Sequence, residues 1–191
     1  MALYDLADSD TPLPQQLVID SSLLLALRPG DDNPYAVTAQ AFVRRLRPSI
    51  AAFELVAWAP LPVVQECYHI LLTHHLQRTW KSLDPAARLP NWLAMYKRQP
   101  ELLRSGFADI ARFDDLLAAI PLTVVQPEDL EDRDVPGTLP ERLRHFVTTY
   151  HLLPQDAMIL AEAERLGVKA VATLDSDWRR VTEFDVYTAL A

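Results

Sequence analysis

The chain has 191 residues, 50% of them hydrophobic, and a net charge of −8. That is enough apolar material for one domain with its own core, and the acidic balance excludes a nucleic-acid binder working through a broad basic face. The single cysteine, Cys67, excludes an internal disulfide framework and a cysteine-based zinc site, and the isolated Gly30, Gly106, Gly137 and Gly167 exclude a glycine-rich phosphate loop.

Residues 1–16 read as a flexible N-terminal arm, acidic and broken by Pro12 and Pro14. They carry neither a basic start nor an apolar signal core, and no apolar run approaches the roughly 20 residues of a membrane helix. With its lone thiol, the chain is expected in the cytoplasm, away from membranes. The run LVID (17–20) predicts a buried strand ending at Asp20, with a turn and a helical segment behind it. A helix over 34–47 has Pro34 near its start and is closed by Pro48. The run 50–60 supplies a second strand, after which Pro62 opens a helix whose apolar positions recur at helical spacing. Residues 83–120 predict a helical elaboration, and 122–126 a third strand. After a loop with Pro136 and Gly137 come helices near 139–150 and 154–166, the last stopped by Gly167. KAVATL (169–174) and FDVYT (184–188) are the fourth and fifth strands. Strands alternating with helices predict a single α/β domain over 17–191. It would be a three-layer sandwich with a mainly parallel sheet of four or five strands and helices on both faces.

Ligands of such sheets bind beyond the carboxyl ends of the strands. Asp20 closes the first strand and Asp175 follows the fourth. Glu66 lies in the first turn of the Pro62 helix on the stripe Val63, Glu66, Cys67, Ile70, and Asp156 opens the stripe Asp156, Ile159, Leu160, Ala163 two residues after Pro154. Both spacings turn a carboxylate inward. Taken singly, Glu66 and Asp156 are equally explained as complements to helix dipoles, and Asp20 and Asp175 as turn or N-cap residues. Taken together, four converging carboxylates repel, by about 4 kcal/mol for a pair at 4 Å and an effective dielectric near 20. They need cations or raised pKa values, and all-oxygen ligands select Mg2+ or Mn2+.

The segments LVIDSSLLLAL, VVQECYHIL, LLPQDAMILAEAERLGV and AVATLDSDWRRV resemble the PIN domains, which include the VapC-type ribonuclease toxins of toxin-antitoxin pairs. The resemblance implies a PIN-like fold and a metal-dependent endoribonuclease that cleaves single-stranded RNA with one or two Mg2+ or Mn2+ ions. It places Asp20, Glu66, Asp156 and Asp175 at the family's four acidic positions, with Asp177 sharing the metal and Ser22 and Thr173 as accessory hydroxyls. It further implies a capacity to pair with a small antitoxin protein and to form a homodimer. Arg179 and Arg180, close to the acids in sequence, and Arg44 and Arg45 with Arg47, are candidates for holding the phosphate backbone; a solvated helix face is the other reading of the second group.

Rival features are weaker. His69, His74 and His75 share a helix, but no two of them are four apart, as a helical zinc-protease pair would be. Cys67 on an apolar stripe reads as core, and Trp58, Trp80, Trp92 and Trp178 as packing residues, with Trp178 adjoining the acids. The Asp175-Ser176-Asp177 triplet leaves an Asp-x-Asp phosphatase or glycosyltransferase as an alternative, and a non-catalytic PIN-fold binding module is another.

Overall fold

The computed structural model describes residues 2–28, 32–86, 88–125 and 137–189; Gly30, Gln126 and Pro136, each read above, lie outside the described residues. The chain forms two units, Met1–Val64 with Ile120–Ala191, and Gln65–Ala119.

The first unit is built on six strands: β1 (Leu3–Asp5), β2 (Gln16–Ile19), β3 (Val56–Pro60), β4 (Thr123–Val125), β5 (Ala170–Ala172) and β6 (Asp185–Thr188). Every pairing is parallel, in the order β1-β6-β5-β2-β3-β4. Leu17, Val18 and Ile19 are buried in succession, as are Ala170, Val171 and Ala172. Successive strand residues point to opposite faces, so unbroken burial means that both faces of the central strands are covered, as in a three-layer α/β fold.

The expected four or five strands become six because Leu3–Asp5, placed by sequence in a flexible arm, pairs with β6 in the register Leu3↔Val186 to Asp5↔Thr188. Tyr4 stacks on Tyr187 at 4.7 Å, the Tyr187 hydroxyl donates to the Pro12 carbonyl at 2.8 Å, and the Arg45 guanidinium holds the Asp8 and Thr11 carbonyls. An acidic segment with two prolines has no strand signal of its own. The open edge of β6 supplies the template.

The helices of this unit are α1 (Ser21–Ala26), α2 (Ala36–Ala51), the opening of α3 (Leu61–Ser82), α6 (Leu139–Tyr150) and α7 (Pro154–Arg165). Contrary to expectation, α2 runs through Pro48, and the second strand begins at Val56 rather than at residue 50. Proline removes only its own amide donor. The next turn still forms, the Ala52 amide bonding the Pro48 carbonyl at 2.9 Å, and Phe53 at φ 58° then turns the chain out of the helix. A capping box between Thr138 and Glu141 starts α6, and the left-handed Gly167 (φ 71°) follows α7. Arg142 ties these two helices, bonding the Ala161 carbonyl and pairing with Glu164 at 3.2 Å.

The second unit holds the rest of α3 with α4 (Trp92–Arg98), a 3-10 helix (Pro100–Gly106) and α5 (Phe107–Ala119). The helical elaboration is present, but residues 83–86 and 88–91 are not helical; Pro85 and Pro90 stand in that stretch, and Asn91 caps α4 by accepting from the Ala94 amide at 2.8 Å. Tyr68 meets Phe113 edge-on at 6.1 Å and donates to Asp114 at 2.5 Å. A Cβ on Gly106 would meet side-chain atoms of Leu72 and His75 at 3.1 and 3.2 Å, so those side chains would have to give way to any larger residue.

Candidate active site

From β2 the chain proceeds to β3 and β4 on one side, then returns to β5 and β6 on the other. The order therefore reverses between the adjacent strands β2 and β5, and the crevice beyond their carboxyl ends is where such sheets bind ligands.

Asp20 stands at that point. Its amide bonds the Ala172 carbonyl of β5 at 2.9 Å, and its side chain caps α1 by accepting from the Ser22 amide at 3.4 Å. The side chain is 2% exposed. Its Oδ2 accepts from the Ser22 hydroxyl at 2.6 Å and from the Thr173 hydroxyl at 2.7 Å. Each hydroxyl has one hydrogen and both go to Asp20, so the 3.2 Å approach of Ser22 Oγ to Thr173 Oγ1 brings together two lone-pair sides. Backbone donors satisfy those sides: the Leu174 amide bonds Ser22 Oγ at 2.9 Å, and the Asp175 amide bonds Thr173 Oγ1 at 3.0 Å. Asp175 in turn accepts from the Asp177 amide at 2.8 Å, capping the 3-10 helix Ser176–Arg180. One polar network thus joins Asp20, Ser22, Thr173 and Asp175. Burial pushes the Asp20 carboxyl above its ordinary range, and the Ser22 and Thr173 hydrogen bonds oppose the shift without cancelling it.

Asp156 is half-buried in the first turn of α7. Its neighbour Gln155 donates to the Pro62 carbonyl at 2.9 Å, just past the end of β3, which sets the start of α7 at the carboxyl edge of the sheet. Sequence reasoning passed over Gln155, whose only signal was adjacency to an acid. Glu66, half-buried on α3, belongs to the second unit. Among the described residues, no three His, Cys, Asp or Glu side chains are grouped so as to hold a metal ion. The donor chemistry nonetheless fits a hard divalent cation. The network offers only oxygen ligands, and the buried Asp20 carboxylate is met by hydroxyls and backbone amides rather than by a cationic side chain.

The arginines divide. Arg44 is exposed on α2, whereas Arg45 holds the N-terminal segment. Arg179 bonds the Ala189 carbonyl; Arg180 bonds the His151 carbonyl and pairs with Asp177, both at 3.0 Å. Trp178, between the acids and these arginines in sequence, is fully buried, so it packs the core rather than stacking on a base.

Comparison with curated proteins gives no match. A solved structure described as VapBC2 from Rickettsia felis bound to a DNA fragment from their promoter is similar over 91% of this chain and 98% of its own, at 11% identity and a TM-score of 0.48. Among the described residues no helix is long and apolar enough to cross a membrane. The PIN domain family model matches residues 17–183, most of the chain, and the protein belongs to the PIN domain family, whose members are generally nucleases that use divalent metal ions.

Proposed function

We propose that this PIN domain is a ribonuclease that cleaves single-stranded RNA with Mg2+ or Mn2+. The observation that carries the reading is the buried carboxylate of Asp20, held at the strand-order reversal by the Ser22 and Thr173 hydroxyls, whose network extends to Asp175. Asp20, Asp156 and Asp175 would hold one or two ions with Asp177 in support, and Glu66 is assigned to the same set from the sequence. A bound divalent ion lowers the pKa of water and offsets charge on the phosphate oxygens. The protein's own part is positioning. Ser22 and Thr173 fix the rotamer of Asp20, the Asp177 amide fixes Asp175, and Gln155 fixes the turn that carries Asp156. Arg44, Arg179 and Arg180, all exposed, would track the RNA backbone, the last two while also holding the Ala189 and His151 carbonyls; Arg45 contributes through the carbonyls it holds. The VapC resemblance adds a small antitoxin partner, a homodimer and a cytoplasmic setting to the proposal. Light scattering that finds a monomer across a wide concentration range would remove the dimer.

The test is cleavage of a mixed RNA pool with Mg2+ or Mn2+, with and without EDTA, by wild type, Asp20→Asn, Asp156→Asn and Glu66→Gln. Wild type should cut only with metal, and all three variants should be inert. Cutting that persists in EDTA or in Asp20→Asn would sink the proposal. The alternative carried by the sequence is a non-catalytic PIN-fold binding module. An inert wild type that still binds Mn2+ and RNA would select it.

A further inference from the structure

The Gln65–Ala119 unit carries a polar pocket of about 560 Å³ of its own, lined by residues of α3, the 3-10 helix and α5. Its centre is a fork. Asp109 accepts from Arg78 of α3 at 3.1 Å through one carboxylate oxygen and from Arg112 of α5 at 3.2 Å through the other. The two guanidinium groups, 71% and 77% exposed, have no other partner in the described structure. Each carries five N–H donors and gives one to Asp109, so most of the donor capacity is left over. Two positive charges share one negative charge, which leaves the fork cationic within a chain of net charge −8.

The rest of the lining is ordered around that fork. Ser105 donates its hydrogen to the Leu102 carbonyl at 2.9 Å, so at 2.8 Å it accepts from His75 Nε2–H. That leaves His75 Nδ1 facing Asp109 at 3.8 Å. Gly106 of the 3-10 helix lies close against the Leu72 and His75 side chains of α3. Guanidinium groups match the spacing of phosphate oxygens and bind them bidentately.

We propose that this pocket is an oxyanion site that takes a phosphate group, held between Arg78 and Arg112 with Asp109 as the positioning residue. The proposal is independent of the carboxylate network at Asp20 and of the ribonuclease reading.

Exposed ion pairs contribute little to stability, so Arg78→Gln and Arg112→Gln should fold as wild type does, which circular dichroism and the thermal midpoint verify. The full chain, in EDTA, is titrated with inorganic phosphate at constant ionic strength while the His75 ring and Ser105 amide resonances are followed. The expected result is a saturable shift in wild type, weakened at least about tenfold by either substitution and lost in the double variant. A short oligoribonucleotide titrated in the same way identifies the source. Competition with phosphate for the same resonances assigns the site to a nucleic-acid backbone, and a response to phosphate alone assigns it to the free anion. A linear, unsaturable response in wild type, or a saturable one that survives in the double variant, overturns the proposal.

Discussion

Asp20 shows how a single buried carboxylate can work against stability. Burial raises its folded-state pKa above the ordinary 3.8, so the folded chain binds that proton more tightly than the unfolded chain does. Below pH 3.8 both forms are protonated and the residue carries no penalty. As pH rises past that value the unfolded chain ionises first, and stability falls until the folded group also ionises. In metal-free buffer Asp20→Asn should therefore be as stable as wild type near about pH 3 and more stable near pH 7; urea denaturation that finds the same difference at both values would refute the account. Thr173→Val, close to isosteric, tests the opposite side of the network. It deprives the Asp175 amide of its acceptor and Asp20 of a donor, and should cost about 1–3 kcal/mol in the same assay.

At the scale of elements, α6 is held at two places of different chemistry. Arg142 is buried and reaches both the Ala161 carbonyl and Glu164 on α7. Arg142→Ala removes one donor to that carbonyl together with a partner of Glu164 and should cost about 1–3 kcal/mol, softened because Lys169 still pairs with Glu164 at 3.2 Å. Near the other end of α6, Glu183 accepts from His145 at 2.5 Å and from Tyr150 at 2.9 Å. Burial pushes the Glu183 carboxyl up, but these two hydrogen bonds together with the nearby His145 and Lys169 charges outweigh it and the pKa ends below the ordinary 4.5. A depressed acid stabilises the fold above its unfolded value and loses that contribution as pH falls through its folded value. Glu183→Gln should lower the thermal midpoint at pH 7, and the gap to wild type should close near about pH 3.

For the whole molecule the decisive quantity is the response to divalent cations. A ligand that binds only the folded form at about 100 times its Kd adds roughly 2.7 kcal/mol of stability. Mg2+ or Mn2+ should raise the thermal midpoint of wild type and leave Asp20→Asn unmoved. An equal rise in both would place the binding elsewhere in this acidic chain.

How much of this was legible beforehand depended on the range of the interactions involved. The α/β class, the parallel sheet, the carboxyl-edge placement of Asp20 and Asp175, and α6 and α7 with their stop at Gly167 followed from sequence. Periodicity, caps and turn residues are local signals that neighbouring positions carry. The sixth strand did not follow, because three residues of the N-terminal segment become a strand only against the edge of β6, which lies at the far end of the chain. The passage of α2 through Pro48 was hidden for a related reason: proline forbids one bond, and the bonds of its neighbours decide whether a last turn forms. Of the site, sequence named the acids and hydroxyls. Only the tertiary structure joined Ser22 and Thr173 on one carboxylate oxygen, committed Arg45 and Arg179 to backbone carbonyls, buried Trp178, and set Arg78 and Arg112 on opposite sides of Asp109. Apart from the i,i+3 pair Asp109–Arg112, these pairings join residues with no local pattern in common, so the packing of helices and strands, which brings distant segments together, was needed to make them.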